Sequence, residues 1–348
     1  MSETRPTYAV TEWHGCYDDS WNGVLVPDAF AHPAKFAPGL ISRILRHMLE
    51  RGYIAPGDSI VDPFGGIAGG GYWAMLLGLH WTGIELEPRF VELGQRNIAK
   101  WQHDLRGLGS RLGTARLLQG ESRRLVAVVG GGMGAAVSSP PYSATGVEFT
   151  KTGLKQWQPG YSKFDGLNQG PYGAKPEVDL YNEHAYMSPE WLERRKETAR
   201  QQANISLLPD TAKDPDYPTF WSAARVIVEQ TYQVLRPGGY AAWVCKDFVR
   251  KGQRVPFSDQ WEQLCAAVGF EPVERIAAML VDDHGSQLDI FGGETPRRTE
   301  RKSFFRRLAE KKGSPRIDWE DVIIMRKPNR AAHANGHGAR SDDHEQDN

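Results

Sequence analysis

One tetrapeptide combines a hydroxyl, two rigid prolines and an aromatic ring: Ser139-Pro140-Pro141-Tyr142, directly after the apolar residues 135–137. Two consecutive prolines cannot continue a strand ladder, so they fix the backbone where a strand would end. The serine oxygen and a proline carbonyl can accept hydrogen bonds from an amino group, while the tyrosine ring stacks on the base that carries it. The segment suits an exocyclic amine held for group transfer. The alternative is a strand-ending turn with a packed tyrosine.

A second segment upstream has the composition of a ligand-binding loop. Residues 60–71 predict a short strand that ends at Asp62, a glycine-rich turn and a helix, and the next strand ends at Glu85. A strand, a crossover helix and a parallel strand bring both acids to the sheet edge at which open α/β sheets bind ligands. Glycines let the backbone approach a ligand closely. The second acid can accept both hydroxyls of a ribose.

The sequence of this loop distinguishes between two nucleotide cofactors. A dinucleotide would prefer Gly-x-Gly-x-x-Gly, with helix amides on the pyrophosphate. The chain has Asp62-Pro63-Phe64-Gly65-Gly66 instead. An acid at the start of the loop would repel a pyrophosphate but attract the ammonium group of a methionine moiety. The pattern therefore favours S-adenosylmethionine over NAD.

Together, residues 62–66, 83–85 and 139–142 resemble the cofactor loop, the ribose acid and the catalytic loop of the DNA amino-methyltransferases, which methylate the exocyclic nitrogen of cytosine or adenine. The His-Pro turn at His32, ahead of a helix from Leu40, is similar to the segment of that family that covers the methionine end of the cofactor. The resemblance covers residues 30–145 well and 220–326 more loosely.

The resemblance implies a set of site residues. Those expected to bind S-adenosyl-L-methionine are His32, Lys35, Phe36, Asp62, Pro63, Phe64, Gly66, Glu85, Leu86 and Glu121. Those expected to be catalytic are Ser139, Pro140, Pro141 and Tyr142. In the family an acid near Glu121 hydrogen-bonds the adenine amino group, although the usual residue there is aspartate. The alternative for Glu121 is an acid at a helix start, where the helix dipole favours it.

The resemblance also implies the fold class, an α/β, Rossmann-like S-adenosylmethionine-dependent methyltransferase fold. Its seven-stranded, mostly parallel sheet would carry helices on both faces and an antiparallel closing strand. The strands are expected at residues 60–62, 81–84, 115–118, 126–137, 240–244, 270–281 and 319–326. A helix over residues 220–235 has apolar residues at helical spacing and ends at Arg236-Pro237-Gly238-Gly239.

Four regions are expected along the chain. Residues 1–142 would hold the cover segment, the cofactor-binding half and the catalytic loop. Residues 143–218 would form an insertion that serves as a target-recognition or lid segment. Residues 219–328 would complete the catalytic domain, with a basic helical insertion near 295–312. The polar tail, 329–348, is expected to be disordered.

Two stretches carry cations that suit contact with double-stranded DNA. The first half of the insertion interleaves lysines with aromatic residues, which can reach phosphates and stack on bases. Residues 295–312 carry eight cations against two acids, which favours a phosphate-contacting helix. The candidates are Lys151, Lys155, Lys163, Arg297, Arg298, Arg301, Lys302 and Arg306. For both stretches the alternative is a structural insertion with solvated charges.

Composition narrows the class of protein. A chain of 348 residues with 40% apolar content is long enough for one large domain and an insertion. Its three cysteines, Cys16, Cys245 and Cys265, have no metal spacing, so we expect a reduced cytoplasmic protein without a metal. No apolar run approaches about 18 residues, so we expect no membrane association. With a net charge of −1, any DNA contact must be local, and the protein would join the nucleoid only through DNA.

These features lead to one main hypothesis. The chain is expected to transfer a methyl group from S-adenosylmethionine to N4 of a cytosine that is flipped out of duplex DNA. In the resembled family, serine at the first loop position is more typical of cytosine-N4 enzymes than of adenine-N6 enzymes. Three alternatives stay open: an adenine-N6 DNA methyltransferase, an RNA or protein-amide methyltransferase, and a catalytically silent nucleic-acid-binding protein.

Overall fold

The computed structural model describes residues 11–32, 35–141, 219–250, 252–288, 294–302 and 304–329. The strands in chain order are β1 (Thr11–Trp13), β2 (Ser59–Asp62), β3 (His80–Glu85), β4 (Thr114–Gln119), β5 (Met133–Ser138), β6 (Leu235–Cys245), β7 (Phe248–Arg250), β8 (Gln253–Val255), β9 (Glu271–Met279), β10 (Val281–Leu288), β11 (Glu294–Glu300) and β12 (Trp319–Arg326). Eight of them form one sheet in the order β1-β9-β12-β6-β5-β2-β3-β4, and β7-β8 and β10-β11 form two separate hairpins.

Helices cover both faces of this sheet. They are α1 (Pro38–Glu50), α2 (Gly69–Leu76), α3 (Pro88–Asp104), α4 (Leu125–Val129), α5 (Phe220–Val234), α6 (Phe257–Val268) and α7 (Phe304–Lys311). Ala135 and Val137 of β5 join one core with Trp101 of α3, and Ala136 joins the other core with Trp261 of α6. Successive strand side chains point to opposite faces, so one strand serves both cores.

The expected fold class is confirmed by the topology. All seven expected strands are present, and β12 runs antiparallel to both of its neighbours, β6 and β9. The remaining pairs of the sheet are parallel. An eighth strand, β1, was not expected; it adds three residues beside β9 at one edge. The strand order reverses between β2 and β5, which is the position where doubly wound sheets bind ligands.

The expected strand over residues 126–137 was wrong in its first half. Leu125–Val129 is a short helix, and β5 covers only Met133–Ser138. Gly130 and Gly132 have φ values of 76° and 83°, in the left-handed region that glycine adopts without strain. This glycine turn separates the helix from the strand.

The expected basic helix near residues 295–312 was also wrong in its first half. Glu294–Glu300 is strand β11, paired antiparallel with β10, and only Phe304–Lys311 is helical. Pro296 disfavours the interior of a helix, and the β-branched residues Thr295 and Thr299 favour a strand. The insertion at 143–218 and the tail from 330 onward lie outside the described residues.

A buried guanidinium joins the closing strands to α6. Arg275 of β9 donates from Nε to Asp321 Oδ1 at 2.8 Å and from Nη1 to Asp259 Oδ1 at 2.6 Å. Its Nη1 also lies 3.3 Å from Glu262 Oε2. The side chains of Arg275 and Asp321 are only 8% and 4% exposed. Loss of Arg275 would leave the buried carboxylate of Asp321 without its counter-ion.

The Arg275→Met substitution is therefore expected to lower the free energy of unfolding by about 3–5 kcal/mol, because Asp321 would stay buried without a cation. Arg225→Met is the matched control, since Arg225 forms an exposed pair with Glu229 one helical turn away. The control should change stability by about 0.5 kcal/mol or less. Urea unfolding measures both, and equal effects would contradict the structural role of Arg275.

Candidate active site

The carboxyl ends of three adjacent strands meet at one edge of the sheet. Asp62 ends β2 and lies opposite Gly83 of β3, whose last residue is Glu85. On the other side, β5 runs parallel to β2 and ends at Ser138, immediately before Ser139. The expected positions of Asp62 and Glu85 at a common edge are thus confirmed.

Asp62 is a buried acid with two hydrogen-bond donors. The residue is 2% exposed, and its Oδ1 accepts from the Phe64 amide at 3.0 Å and from Ser138 Oγ at 2.5 Å. Burial raises the pKa of Asp62 to about 6, and the two hydrogen bonds oppose that rise. The carboxylate is therefore ionised at neutral pH and can attract a cation.

Glu85 uses each of its carboxylate oxygens to hold part of the loop. Oε2 accepts from the Gly66 amide at 3.0 Å, and Oε1 accepts from the Glu87 amide at 2.9 Å. Burial raises the pKa of Glu85 to about 7. In its ionised form the carboxylate offers about four lone-pair positions, so both oxygens can still accept from the two hydroxyls of a ribose.

The turn between β2 and α2 packs directly on β3. A Cβ at Gly65 would lie 2.8 Å from Leu117 Cδ1 and 3.0 Å from Gly83 Cα, closer than packing allows. Gly66 has a φ of 52°, in the left-handed region. The absence of side chains at these positions lets the turn lie close to β3, with the Gly66 amide bonded to Glu85.

Three further residues expected at the cofactor lie in the same loops. The carbonyl of Pro63 accepts from the hydroxyl of Ser122, which ties the turn to the segment after β4. Phe64 is partly buried and packs against the α5–α6 core. Leu86 is partly exposed and follows Glu85 at the end of β3. The loops after β2, β3 and β4 therefore form one connected wall.

His32 of the cover segment lies against the glycine turn, while its expected contact with a cofactor stays a prediction. A Cβ at Gly66 would be 3.4 Å from His32 Cε1. The His32 ring is buried and meets the Phe90 ring edge to face, with 4.2 Å between the ring centres. The cover is thus held between the turn and α3.

Lys35 and Phe36 make hydrogen bonds within the cover segment, the stretch around His32 that precedes α1. Lys35 Nζ donates to the carbonyl of Phe30 at 3.0 Å and to that of His32 at 2.5 Å. Burial lowers the pKa of this ammonium to about 8. The carbonyl of Phe36 accepts from Trp21 Nε1 at 2.7 Å. Both residues keep the cover folded beside the loop, while a direct contact with a cofactor stays a prediction.

Glu121 lies at the same edge, one strand further out. The preceding Gly120 donates from its amide to the Glu85 carbonyl at 3.0 Å. The carboxylate of Glu121 forms an ion pair with Arg123 Nε. Its expected role toward an adenine amino group stays a prediction.

Ser139 is oriented by the neighbouring strand β6. The residue is exposed, and its Oγ donates to the carbonyl of Val244 at 3.0 Å. Since the hydroxyl proton is used in that bond, the oxygen presents its lone pairs to an incoming group. Pro140 is buried and Pro141 is partly buried. Tyr142 lies outside the described residues.

The cations expected to contact DNA are largely paired within the chain. Arg298 binds Asp283 at 3.2 Å and Arg301 binds Asp282 at 2.5 Å. The ammonium of Lys302 contacts three acids: Glu300, Glu310 and Asp318. Arg297 is exposed, whereas Lys151, Lys155, Lys163 and the side chain of Arg306 lie outside the described part. The acids offset much of the positive charge of this hairpin and helix.

Two contributors to the site were not expected from the sequence. They are the Ser138 hydroxyl, which binds Asp62, and the Val244 carbonyl, which orients Ser139. Both contacts join segments far apart in the chain, so they depend on which strands lie beside β5. The only sequence signal was the position of Ser138 directly before the catalytic loop.

Two kinds of feature are absent from the described ranges: a cluster of metal ligands and a membrane-spanning helix. Those ranges contain no group of three or more His, Cys, Asp or Glu side chains that could hold a metal ion. Among the described helices, none is both long enough and apolar enough to span a bilayer.

The donor set of this edge fits the parts of S-adenosylmethionine. A buried carboxylate, Asp62, suits its cationic end, and Glu85 suits the two hydroxyls of its ribose. Glycine at positions 65 and 66 lets the turn pack against β3 and His32, where a Cβ would meet Leu117, Gly83 and the His32 ring. A pyrophosphate would instead face two acids at this edge.

No protein-family model and no curated protein sequence matches the chain. Solved structures with a partial likeness include TrmN from Thermus thermophilus, at 12% identity and a TM-score of 0.38 over 86% of this chain and 52% of that one. A SAM-dependent methyltransferase from Methanosarcina mazei has 11% identity and a TM-score of 0.38, over 81% of this chain and 97% of that one. The cyclase SpnF has 12% identity and a TM-score of 0.41, over 85% of this chain and 83% of that one. The chain spans about half the length of TrmN. Such values carry no information on activity, so function has to be inferred from the chain's own residues.

The raised pKa of Asp62 predicts a pH-dependent stability difference from Asp62→Asn. Its folded pKa of about 6 exceeds the ordinary 3.8, so the folded state holds the proton more tightly than the unfolded state. As pH rises from about 4 to above 6, the free energy of unfolding of the wild type should fall by about 2–3 kcal/mol relative to that of the variant, because the asparagine of the variant cannot ionise. Urea unfolding at several pH values measures this difference, and a constant difference would contradict the assignment.

Proposed function

We propose that the protein transfers a methyl group from S-adenosylmethionine to the exocyclic N4 of a cytosine flipped out of double-stranded DNA. One observation carries the proposal. Three groups lie at the ends of three adjacent parallel strands: an acid that can bind an ammonium group, an acid that can bind the two hydroxyls of a ribose, and a hydroxyl that can accept from an amine. These are Asp62 on β2, Glu85 on β3 and Ser139 after β5.

The cofactor would be held by the loops after β2 and β3. Asp62 would attract the ammonium group of its methionine part, and Glu85 would accept from its ribose hydroxyls. The cover with His32 would close the methionine end against the glycine turn. When bound, S-adenosylmethionine supplies a methyl group on a positively charged sulfonium, an activated donor that requires no covalent enzyme intermediate.

The base would be held by the catalytic loop. Ser139 Oγ and the Pro140 carbonyl would each accept an N–H from the target amine, and Tyr142 would stack on the ring. These contacts aim the nitrogen lone pair at the methyl carbon. The carbon–sulfur bond breaks as the carbon–nitrogen bond forms, and the nitrogen then loses one proton to solvent. Placement supplies most of the rate enhancement.

Two acceptors suit the exocyclic amine of cytosine and that of adenine alike, so the choice of cytosine depends on the identity of the first loop residue, Ser139. Ser139 gives its own proton to Val244, so the hydroxyl is free to receive an N–H. Serine at this position is also typical of cytosine-N4 enzymes in the family that the sequence resembles. Contact with the duplex is assigned to Arg297 and to the lysines of the insertion, in which aromatic residues alternate with cations.

The direct test is transfer of labelled methyl from S-adenosylmethionine to unmethylated duplex DNA, followed by mass spectrometry of the digested nucleosides. Labelled N4-methylcytosine is expected. N6-methyladenine as the sole product would contradict the choice of base. A cofactor that raises the melting temperature without label in DNA would contradict the DNA substrate and favour RNA or a protein amide. No effect of the cofactor on melting would point to a silent nucleic-acid-binding protein.

Residue roles can be separated by comparing cofactor affinity with turnover. Asp62→Ala and Glu85→Ala are each expected to weaken cofactor binding about 10- to 100-fold, because each removes charged hydrogen-bond acceptors. Tyr142→Ala should lower turnover by a similar factor, since stacking on one base contributes about 1–3 kcal/mol. Its cofactor affinity should stay within about twofold of wild type. A loss of binding in Tyr142→Ala as large as in Asp62→Ala would refute the stacking role.

A further inference from the structure

Ser138, the last residue of β5, connects the two loops of the site. Its side chain is fully buried, and its Oγ donates to Asp62 Oδ1 at 2.5 Å. Asp62 begins the glycine turn after β2, and Ser138 immediately precedes the catalytic loop. One hydrogen bond therefore links the acid proposed for the cofactor with the backbone proposed to hold the base.

The two consecutive serines face different partners. Ser138 donates to the Asp62 carboxylate on one side of β5, whereas Ser139 donates to the Val244 carbonyl on the other. The end of β5 is thus fixed to both of its neighbouring strands, but only Ser138 contacts an ionisable group.

We propose that Ser138 is a positioning residue that keeps the Asp62 carboxylate ionised and correctly aimed for the cofactor. The inference rests on the proposed function and adds a residue to it. The Ser138 hydroxyl and the Phe64 amide both bind the same oxygen, Oδ1. Together they fix the rotation of the carboxylate and leave Oδ2 facing the first turn of α2, 3.7 Å from where a Cβ at Gly70 would lie.

The electrostatics of this pair determine what its loss would do. Burial raises the pKa of Asp62, and the hydrogen bonds from Ser138 and Phe64 oppose that rise. A variant without the Ser138 hydroxyl keeps only the amide bond, so the carboxylate should take up a proton at higher pH. The other titratable groups at this edge are His32 in the cover, Glu85 after β3, Glu121 after β4 and Asp247 after β6. These groups are the same in the wild type and the variant, so any difference in pH dependence between the two proteins comes from the Ser138–Asp62 pair.

The test measures the dissociation constant of S-adenosylmethionine between about pH 5.5 and 8.5 for wild type, Ser138→Ala and Ser139→Ala. Affinity should fall with acidification as Asp62 is protonated. In Ser138→Ala this fall should begin about one pH unit higher, so affinity near pH 6 drops about fivefold while affinity near pH 8.5 approaches wild type. Ser139→Ala should keep the wild-type pH dependence of binding but lose turnover.

Two further variants distinguish the proposed role of Ser138 from a general folding defect. Ser138→Cys keeps a side chain of similar shape but donates only weakly, so it should shift the pH dependence in the same direction. In an Asp62→Asn background, Ser138→Ala should cause no shift, because nothing remains for the hydroxyl to keep ionised. A loss of affinity that is equal at every pH would overturn the inference and leave Ser138 a purely structural residue.

The outcomes also separate this inference from the proposed function. Wild-type protein that does not bind S-adenosylmethionine would overturn both. Wild-type protein that binds the cofactor and methylates DNA, with an unshifted pH dependence in Ser138→Ala, would overturn only the role of Ser138.

Discussion

The carboxylate of Asp62 stands at the end of an inner strand, where only 2% of the residue is exposed. Burial of a charge is unfavourable unless hydrogen bonds replace the lost water. Two donors do so, the Phe64 amide of the glycine turn and the Ser138 hydroxyl of the strand before the catalytic loop. Because one acid accepts from both segments, it sets the distance between the two loops of the candidate site.

The sheet explains why the functional groups collect at this edge. Its inner strands are covered by helices on both faces, so their side chains build the two cores. Polar groups can therefore reach solvent only where the strands end. The chain leaves β2 toward β3 on one side, and β5 returns on the other, which opens a crevice between the loops. The acids and the catalytic loop line this crevice because Asp62 and Glu85 are the last residues of β2 and β3 and the loop directly follows β5.

Local patterns were sufficient to predict part of this arrangement. Asp62 and Glu85 could be paired from the sequence because a strand, a crossover helix and a parallel strand have one common geometry. The Ser138–Asp62 hydrogen bond could not be predicted from the sequence, since its partners are 76 positions apart and meet only when β5 lies beside β2. Residues 295–300 read as part of a basic helix because their charges dominate the pattern, yet pairing with β10 decides their conformation. The acids that neutralise those cations likewise come from other segments.

The bond from Ser139 to Val244 has a consequence for discrimination between pyrimidines. A hydroxyl that has given its proton to a carbonyl can no longer donate one. Under the proposed function, the keto oxygen of thymine or uracil would occupy the place of the cytosine amine and meet a lone pair instead of a hydrogen. Two acceptors in contact repel, and neither finds a partner inside the pocket. A backbone carbonyl on the neighbouring strand would thus act as a polarity filter against the pyrimidines that have nothing to methylate.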